Sequence, residues 1–214
     1  MTTHTWPTPA AGSAFYHAAA AIALVPNQVV ATSFISGATQ VSTLAGARLK
    51  AQITFPEHSY AQRAELEAFL NRISGMEHRI ALWDMSRPVP RGTISMTPGA
   101  VTAGAAAQFA TTLVLSGAGG SNTIKAGDWF RLTLTNGLFQ LLQATQDFTA
   151  SGGVITMTDG VRPGLRSACS AGAAVLLDKP TALFVVDEPD GLFVPRGAAD
   201  YCPGFTINLR ELFS

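Results

Sequence analysis

Charge is what this chain has least of. Only 13% of its 214 residues are Asp, Glu, Lys or Arg, and Lys plus Arg balances Asp plus Glu at 14 each. A neutral chain exerts no long-range pull on phosphate backbones or anionic lipid, so neither a nucleic-acid nor a membrane partner is expected. Cysteine is nearly absent too. Cys169 and Cys202 are too few for a disulfide framework, or for a zinc site, which takes about four ligands. Two reduced, partly buried thiols in a protein made in a reducing cytoplasm are the expectation. The apolar run 18–25 has no Lys or Arg before it. It is also far shorter than the ~20 residues a membrane helix needs, so neither a targeting segment nor a membrane span is read there.

The residue groups that carry chemistry are missing as well. His4, His17, His58 and His78 contain no His-x-x-x-His pair, and His78, following Glu77 beyond a helix, reads as part of a solvated polar loop. Asp187, Glu188 and Asp190 share one turn, but Pro189 and Gly191 mark an ordinary acidic turn, and an EF-hand loop needs a longer ladder of oxygens. The Gly-rich stretch 117–121 is followed by no Lys-Ser or Lys-Thr and no helix, so it is a loop and not a phosphate cradle. No Gly-x-Ser-x-Gly elbow occurs. Asp128, before Trp129, stands at a turn into a strand without the second carboxylate that acid–base catalysis would want. Arg162 and Arg166 form a basic loop too small for a nucleic-acid footprint. The expectation is therefore no catalytic residue, no cofactor and no metal.

What the chain does have is a 47% apolar fraction, enough for a real core, and one clear packing unit. In 48–55, Leu49, Ala51, Ile53 and Phe55 alternate with Arg48, Lys50, Gln52 and Thr54, the period of a strand with one buried and one wet face. Pro56 stops it. Ser59 is placed as an N-cap with Gln62 completing a capping box. In the predicted 59–74 helix Leu66, Phe69, Leu70 and Ile73 fall within an arc of roughly 100°, with Glu65, Glu67, Asn71 and Arg72 off it. Gly75 is the expected left-handed terminator, and 79–83 returns as a strand ending at Asp84. An amphipathic helix laid on a sheet follows, with Leu66, Phe69, Leu70, Ile73, Leu82, Trp83, Phe205, Ile207 and Leu209 as its structural core.

Around this unit the chain is β-prone. Residues 1–30 suggest an extended arm with Trp6 docked on the body, and 18–25 fits helix or strand equally. Gly37 interrupts 33–41 and suggests a bend or bulge. Residues 95–179 hold five or six short strands between Gly-rich turns, the pattern of a small barrel or sandwich without a useful helix. Within it, 129–135 and 138–143 flank Asn136-Gly137, which predicts a hairpin on a type I′ turn. Apolar 182–186 and alternating Phe205, Ile207 and Leu209 close the chain. The fold class is mainly β: a sheet with one packed helix, plus an inserted barrel or sandwich. The expected domains are 1–94 with 180–214, and 95–179 between them.

Several stretches together resemble a known family: 33–41, the 48–56 strand ending in Pro56, and the helix carrying Ala68, Phe69 and Leu70. Gly75, the 80–84 strand and the closing 204–213 segment continue the likeness. The pattern resembles distal tail proteins and minor tail proteins of long-tailed bacteriophages, over about 33–92 and 180–214. Residues 95–179 have no counterpart in the shortest members. The resemblance implies a structural virion subunit, not an enzyme, made in the host cytoplasm and located at the distal end of the phage tail. It implies a homo-oligomer, a hexameric ring between a tail tube protein and a tail hub protein at the tail tip or baseplate. The competing expectation is a phage-associated carbohydrate-binding or hydrolytic module acting at the host surface through 95–179.

Overall fold

The computed structural model describes residues 2–7, 13–43, 46–73, 76–188 and 201–213. Gly75, Pro189, Asp190 and Gly191, expected to end the helix and to form the acidic turn, lie outside the described residues. Among the described residues the fold is mainly β with a single helix. In chain order come β1 (Thr3–Thr5), β2 (Ala19–Val25), β3 (Gln28–Thr32), β4 (Thr39–Thr43), β5 (Arg48–Phe55), β6 (His58–Ser59), α1 (Tyr60–Ile73) and β7 (Arg79–Leu82). Next are β8 (Thr102–Ala103), β9 (Leu113–Ser116), β10 (Thr123–Ile124), β11 (Trp129–Thr133), β12 (Phe139–Ala144) and β13 (Phe148–Thr149). The last are β14 (Val154–Met157), β15 (Val161–Arg162), β16 (Ala173–Leu176), β17 (Ala182–Val186), β18 (Tyr201–Cys202) and β19 (Phe205–Glu211).

The chain forms two compact units, one from Met1–Ala23, Lys50–Val89 and Asp178–Ser214, the other from Leu24–Leu49 and Pro90–Leu177. Residues 24–49 thus group with the second unit, whereas the sequence division had placed them with the first. The reason is local. β3 and β4 pair as a separate two-stranded sheet, and the Ala47 carbonyl accepts from the Arg166 guanidinium of the second unit.

The first unit is built on a six-stranded sheet ordered β1-β7-β17-β19-β5-β2. β5 keeps the alternation of its sequence: Leu49, Ala51, Ile53 and Phe55 are buried, while Arg48, Lys50 and Gln52 are exposed. β19 runs antiparallel to it with Ile207 opposite Ile53 and Leu209 opposite Ala51, so the apolar rows of both strands meet on one face. α1 starts as its residues dictate. The Gln62 amide donates to Ser59 Oγ at 3.4 Å and the Ser59 amide donates to Gln62 Oε1 at 3.1 Å, satisfying two amides that a helix start leaves open. Leu66, Leu70 and Ile73 are buried, as are Leu82, Trp83, Ile207 and Leu209. Phe69 and Phe205 are half-buried instead. Each lies at the margin of the core: Phe69 meets Trp6 and Phe15 edge to face at 5.4 and 5.2 Å, and Phe205 stacks on Phe55 at 5.1 Å. Trp6 is 1% exposed. Its ring also lies 6.2 Å from Phe55, so it joins the helix to the sheet. β1 supports it by pairing parallel with β7. Ambiguous from its sequence, 19–25 is a strand at the sheet's outer edge.

The second unit has a seven-stranded sheet ordered β14-β9-β8-β16-β11-β12-β15. The Val161 amide donates to the Thr111 carbonyl at 3.1 Å. That bond brings β15 back beside the approach to β9, and the sheet curls into a nearly closed barrel. Its interior holds Leu113, Leu115, Phe130, Leu132, Leu142 and Ile155. β11 and β12 form the expected hairpin, but not on a type I′ turn. The Leu134 amide donates to Leu138 O at 2.7 Å and the Gly137 amide to Leu134 O at 3.0 Å. Gly137 alone has a positive φ, 77°, whereas type I′ needs two such residues. The loop therefore has three residues, ending on a left-handed glycine, the next commonest hairpin closure.

Candidate functional site

The most unusual surface is the β3–β4 hairpin. The first charged side chain in the sequence is Arg48, so the hairpin and everything before it carry no Asp, Glu, Lys or Arg. Its strands are rich in Val, Thr and Gln, residues that suit a pleated surface, and register places Val30 opposite Val41 and Thr32 opposite Thr39. At the tip, the Ser33 amide donates to Ala38 O at 2.8 Å and the Gly37 amide to Ser33 O at 3.0 Å. The Ser36 amide donates to Ser33 Oγ at 3.2 Å. These bonds close a short loop at the bend that Gly37 marked, and Phe34 and Ile35 project from it. Phe34 is fully exposed, Ile35 is 96% exposed, and Val29, Val30 and Val41 are each more than half exposed. All five residues of β3 are exposed, on both faces. An isolated two-stranded hairpin is marginal in water, and exposed edge strands are ordinarily blunted with charge or proline. Between Pro26 and Arg48 neither is present.

The first unit contributes a second surface, the wet face of its sheet. There Lys50 Nζ lies 3.2 Å from Asp187 Oδ2 and Arg210 Nε 3.4 Å from Asp187 Oδ1. Gln52 Nε2 donates to Asn208 Oδ1 at 3.2 Å, and the Thr54 and Thr206 hydroxyls are 3.1 Å apart. Beside this ladder, Ala21 and Ala23 of β2 help line an open cleft of about 450 Å3. Asp187 thus faces two cations, and the cleft's second carboxylate, Glu188, accepts from Asn208 Nδ2 at 3.5 Å.

The sequence's candidate residues are scattered. Asp128 is 2% exposed and works as a loop tie: Oδ1 accepts from the Arg91 amide at 2.9 Å, Oδ2 from the Gly92 and Lys125 amides at 3.2 and 2.8 Å. His78 is half-buried. Its ring meets His4 at 5.4 Å and its Nδ1 accepts from the Thr2 amide. His17 is half-buried, and His58 is buried against Phe55 and Phe205. Arg162 pairs with Asp159 at 3.0 Å, and Arg166 is committed to Ala47, so the basic loop offers no free cluster. Among the described residues no three of His, Cys, Asp and Glu group as metal ligands, and no helix is long and apolar enough to cross a membrane.

One grouping escaped the sequence reasoning. β6 pairs with β18 so that His58 stands opposite Cys202, and Arg63 of α1 is 6% exposed and bridges to Glu67. Burial works to lower the Arg63 guanidinium, but hydrogen bonds to Glu67 and Cys202 outweigh it and hold the group above its ordinary value. The signal was available in the spacing: 63, 66, 70 and 73 form one helical stripe. His58, Arg63 and Cys202 are all buried, so the cluster holds α1 and is closed to substrate. Cys169, also unpaired, lies in the barrel core, where burial pushes its thiol up.

No family model matches this chain, and no curated protein matches it in sequence.

Proposed function

We propose that this chain is a structural virion protein without a catalytic site. In this reading it is a distal-tail-like subunit whose copies close into a hexameric ring joining a phage tail tube to the tail tip hub. The observation that carries the reading is the bare hairpin. A soluble chain that leaves an uncharged β-hairpin open on both faces, tipped by Phe34 and Ile35, has a surface suited to burial against another protein subunit. The resemblance of 33–92 and 180–214 to tail-ring proteins supplies the kind of assembly. The low charge fits a subunit whose surface is largely covered by neighbours.

Sedimentation of the purified protein, with negative-stain micrographs of the same sample, tests the reading. Closed rings of one size are expected, and antibody labelling should mark the distal end of the tail. A monomer at every concentration, particularly one that binds or cleaves a cell-surface glycan through 95–179, would overturn it.

A further inference from the structure

We propose that Cys202 is a modification site, a thiol that hydrogen peroxide oxidises to a sulfenic acid whose oxygen is then held by Arg63 and His58. The inference stands apart from the ring reading, since all three residues belong to the first unit.

Two buried nitrogens beside the thiol want an acceptor. Arg63 is 6% and His58 4% exposed, yet Arg63 Nε and His58 Nε2 have no hydrogen-bond partner. A guanidinium nitrogen can only donate, and leaving a buried donor unpaired is costly. Both nitrogens belong to groups directed at one sulfur. The Arg63 guanidinium already donates a hydrogen bond to Cys202. His58 stands opposite Cys202 in the antiparallel β6–β18 pair, which puts both side chains on one face with Cβ atoms about 4.5–5.5 Å apart. One oxygen on the Cys202 sulfur supplies an acceptor for Arg63 Nε and for the Nε2–H tautomer of His58.

The chain's other cysteine is the contrast. Cys169 Sγ donates to the carbonyls of Gly104 at 3.6 Å and Ser170 at 3.4 Å. Those acceptors hold the proton on its sulfur, and burial pushes the thiol up. Cys202 instead receives a hydrogen bond from a cation, the partner that favours a sulfur carrying negative charge during attack. In the step, the Cys202 sulfur attacks one peroxide oxygen; the S–O bond forms as the O–O bond breaks. The leaving hydroxide takes up the thiol's proton as water, so the sulfur is oxidised by two electrons and the peroxide reduced. A thiol reductant reverses the change: its sulfur attacks that of Cys202, water leaves, and a second thiol resolves the mixed disulfide. The cluster is closed to a larger substrate, but peroxide is scarcely bigger than water. β6–β18 is a ladder of two residue pairs, so a small local opening admits it.

The test treats the full chain with hydrogen peroxide and dimedone, a probe that traps sulfenic acids, and maps the adducts by peptide mass spectrometry. Cys202 should be labelled at least about tenfold faster than Cys169. Equal rates, or an adduct on Cys202 that forms only in urea, would overturn the site. Without dimedone, oxidation should leave the urea midpoint unchanged or raised, measured against peroxide-treated Cys202→Ser to correct for methionine oxidation. A midpoint lowered by oxidation of Cys202 would mean that its oxygen finds no donors, and overturns the roles of Arg63 and His58. Arg63→Gln should slow the labelling of Cys202 about tenfold or more; an unchanged or faster rate would mean that Arg63 only shields the thiol. If circular dichroism shows that variant unfolded, the two wild-type measurements decide alone.

Discussion

Asp128 offers the sharpest test of the account of its unit, because the sequence could mistake it for a catalytic carboxylate and the structure makes it a tie. It is 2% exposed and accepts three backbone amides, from Arg91, Gly92 and Lys125. Asp128→Ala removes every acceptor at once and leaves those amides searching for water. An orphaned buried donor costs about 1–3 kcal/mol. The low end applies here, because Arg91 is exposed and Gly92 and Lys125 are half-buried, so water reaches part of the vacated space. Three amides at about 1 kcal/mol each give a loss of about 3 kcal/mol. The Arg91 guanidinium, 3.8 Å away on an exposed side chain, adds little. Asp128→Asn keeps one oxygen and should lose roughly half as much. Urea denaturation followed by circular dichroism measures the loss, and peptide-level hydrogen exchange should confine it to 90–177. A cost below about 1 kcal/mol for Ala, or equal costs for Ala and Asn, would refute the tie.

Trp83→Ala should cost about 3–5 kcal/mol by urea denaturation, and Phe69→Ala less, because Trp83 is buried and Phe69 half-buried; the opposite ranking would mean the core is centred elsewhere. Gly92→Ala should destabilise by about 2 kcal/mol or more, since its Cβ would lie 2.0 Å from the Thr123 carbonyl oxygen, while Gly120→Ala, with open space around it, should cost far less; equal midpoints would contradict the close approach. Acid should weaken the second unit from about pH 4 downward. The Asp147 carboxyl is held below its usual range by the Ala126 amide and Lys125, and that of Asp159 by Thr111 and Arg162. Groups depressed in the folded state stabilise it above the unfolded pKa and lose that effect as pH falls through the folded one. A double change of Asp147→Asn and Asp159→Asn should flatten the decline of the urea midpoint between pH 4.5 and about pH 2.5, and an unchanged slope would count against these bonds.

Where one local rule decided the structure, the sequence was enough. β5 has a single face that can be buried, and Ser59 with Gln62 can only start a helix there, so both were legible. Where two local solutions compete, it was not. Asn-Gly suits a two-residue turn, yet bonding of Leu134 to both Gly137 and Leu138 selected a longer loop. Arg63 belongs to the apolar stripe by position but not by type, and only the nearness of Glu67 and Cys202 makes its burial tolerable. The hairpin was visible as β-prone, with Gly37 as its bend. That it stands uncovered depends on what the rest of the chain leaves unpaired, which no window of residues contains.

β19 has a consequence for the order in which the first unit can come into being. It is the last of the described strands, yet it lies between β17 and β5, with Thr206 bonded to Thr54 across 152 residues of sequence. Until 205–211 are synthesised, β5 and β2 on one side and β17, β7 and β1 on the other have no strand to join them. Contacts so distant in sequence form slowly, and both half-sheets present raw edges meanwhile. Synthesis of the second unit's 90–177 segment falls within that interval. A chain interrupted before β19 would therefore be a hazard to its neighbours, able to add to a sheet but unable to finish its own. The central place of the final strand makes edge pairing safe only after the whole described chain has been made.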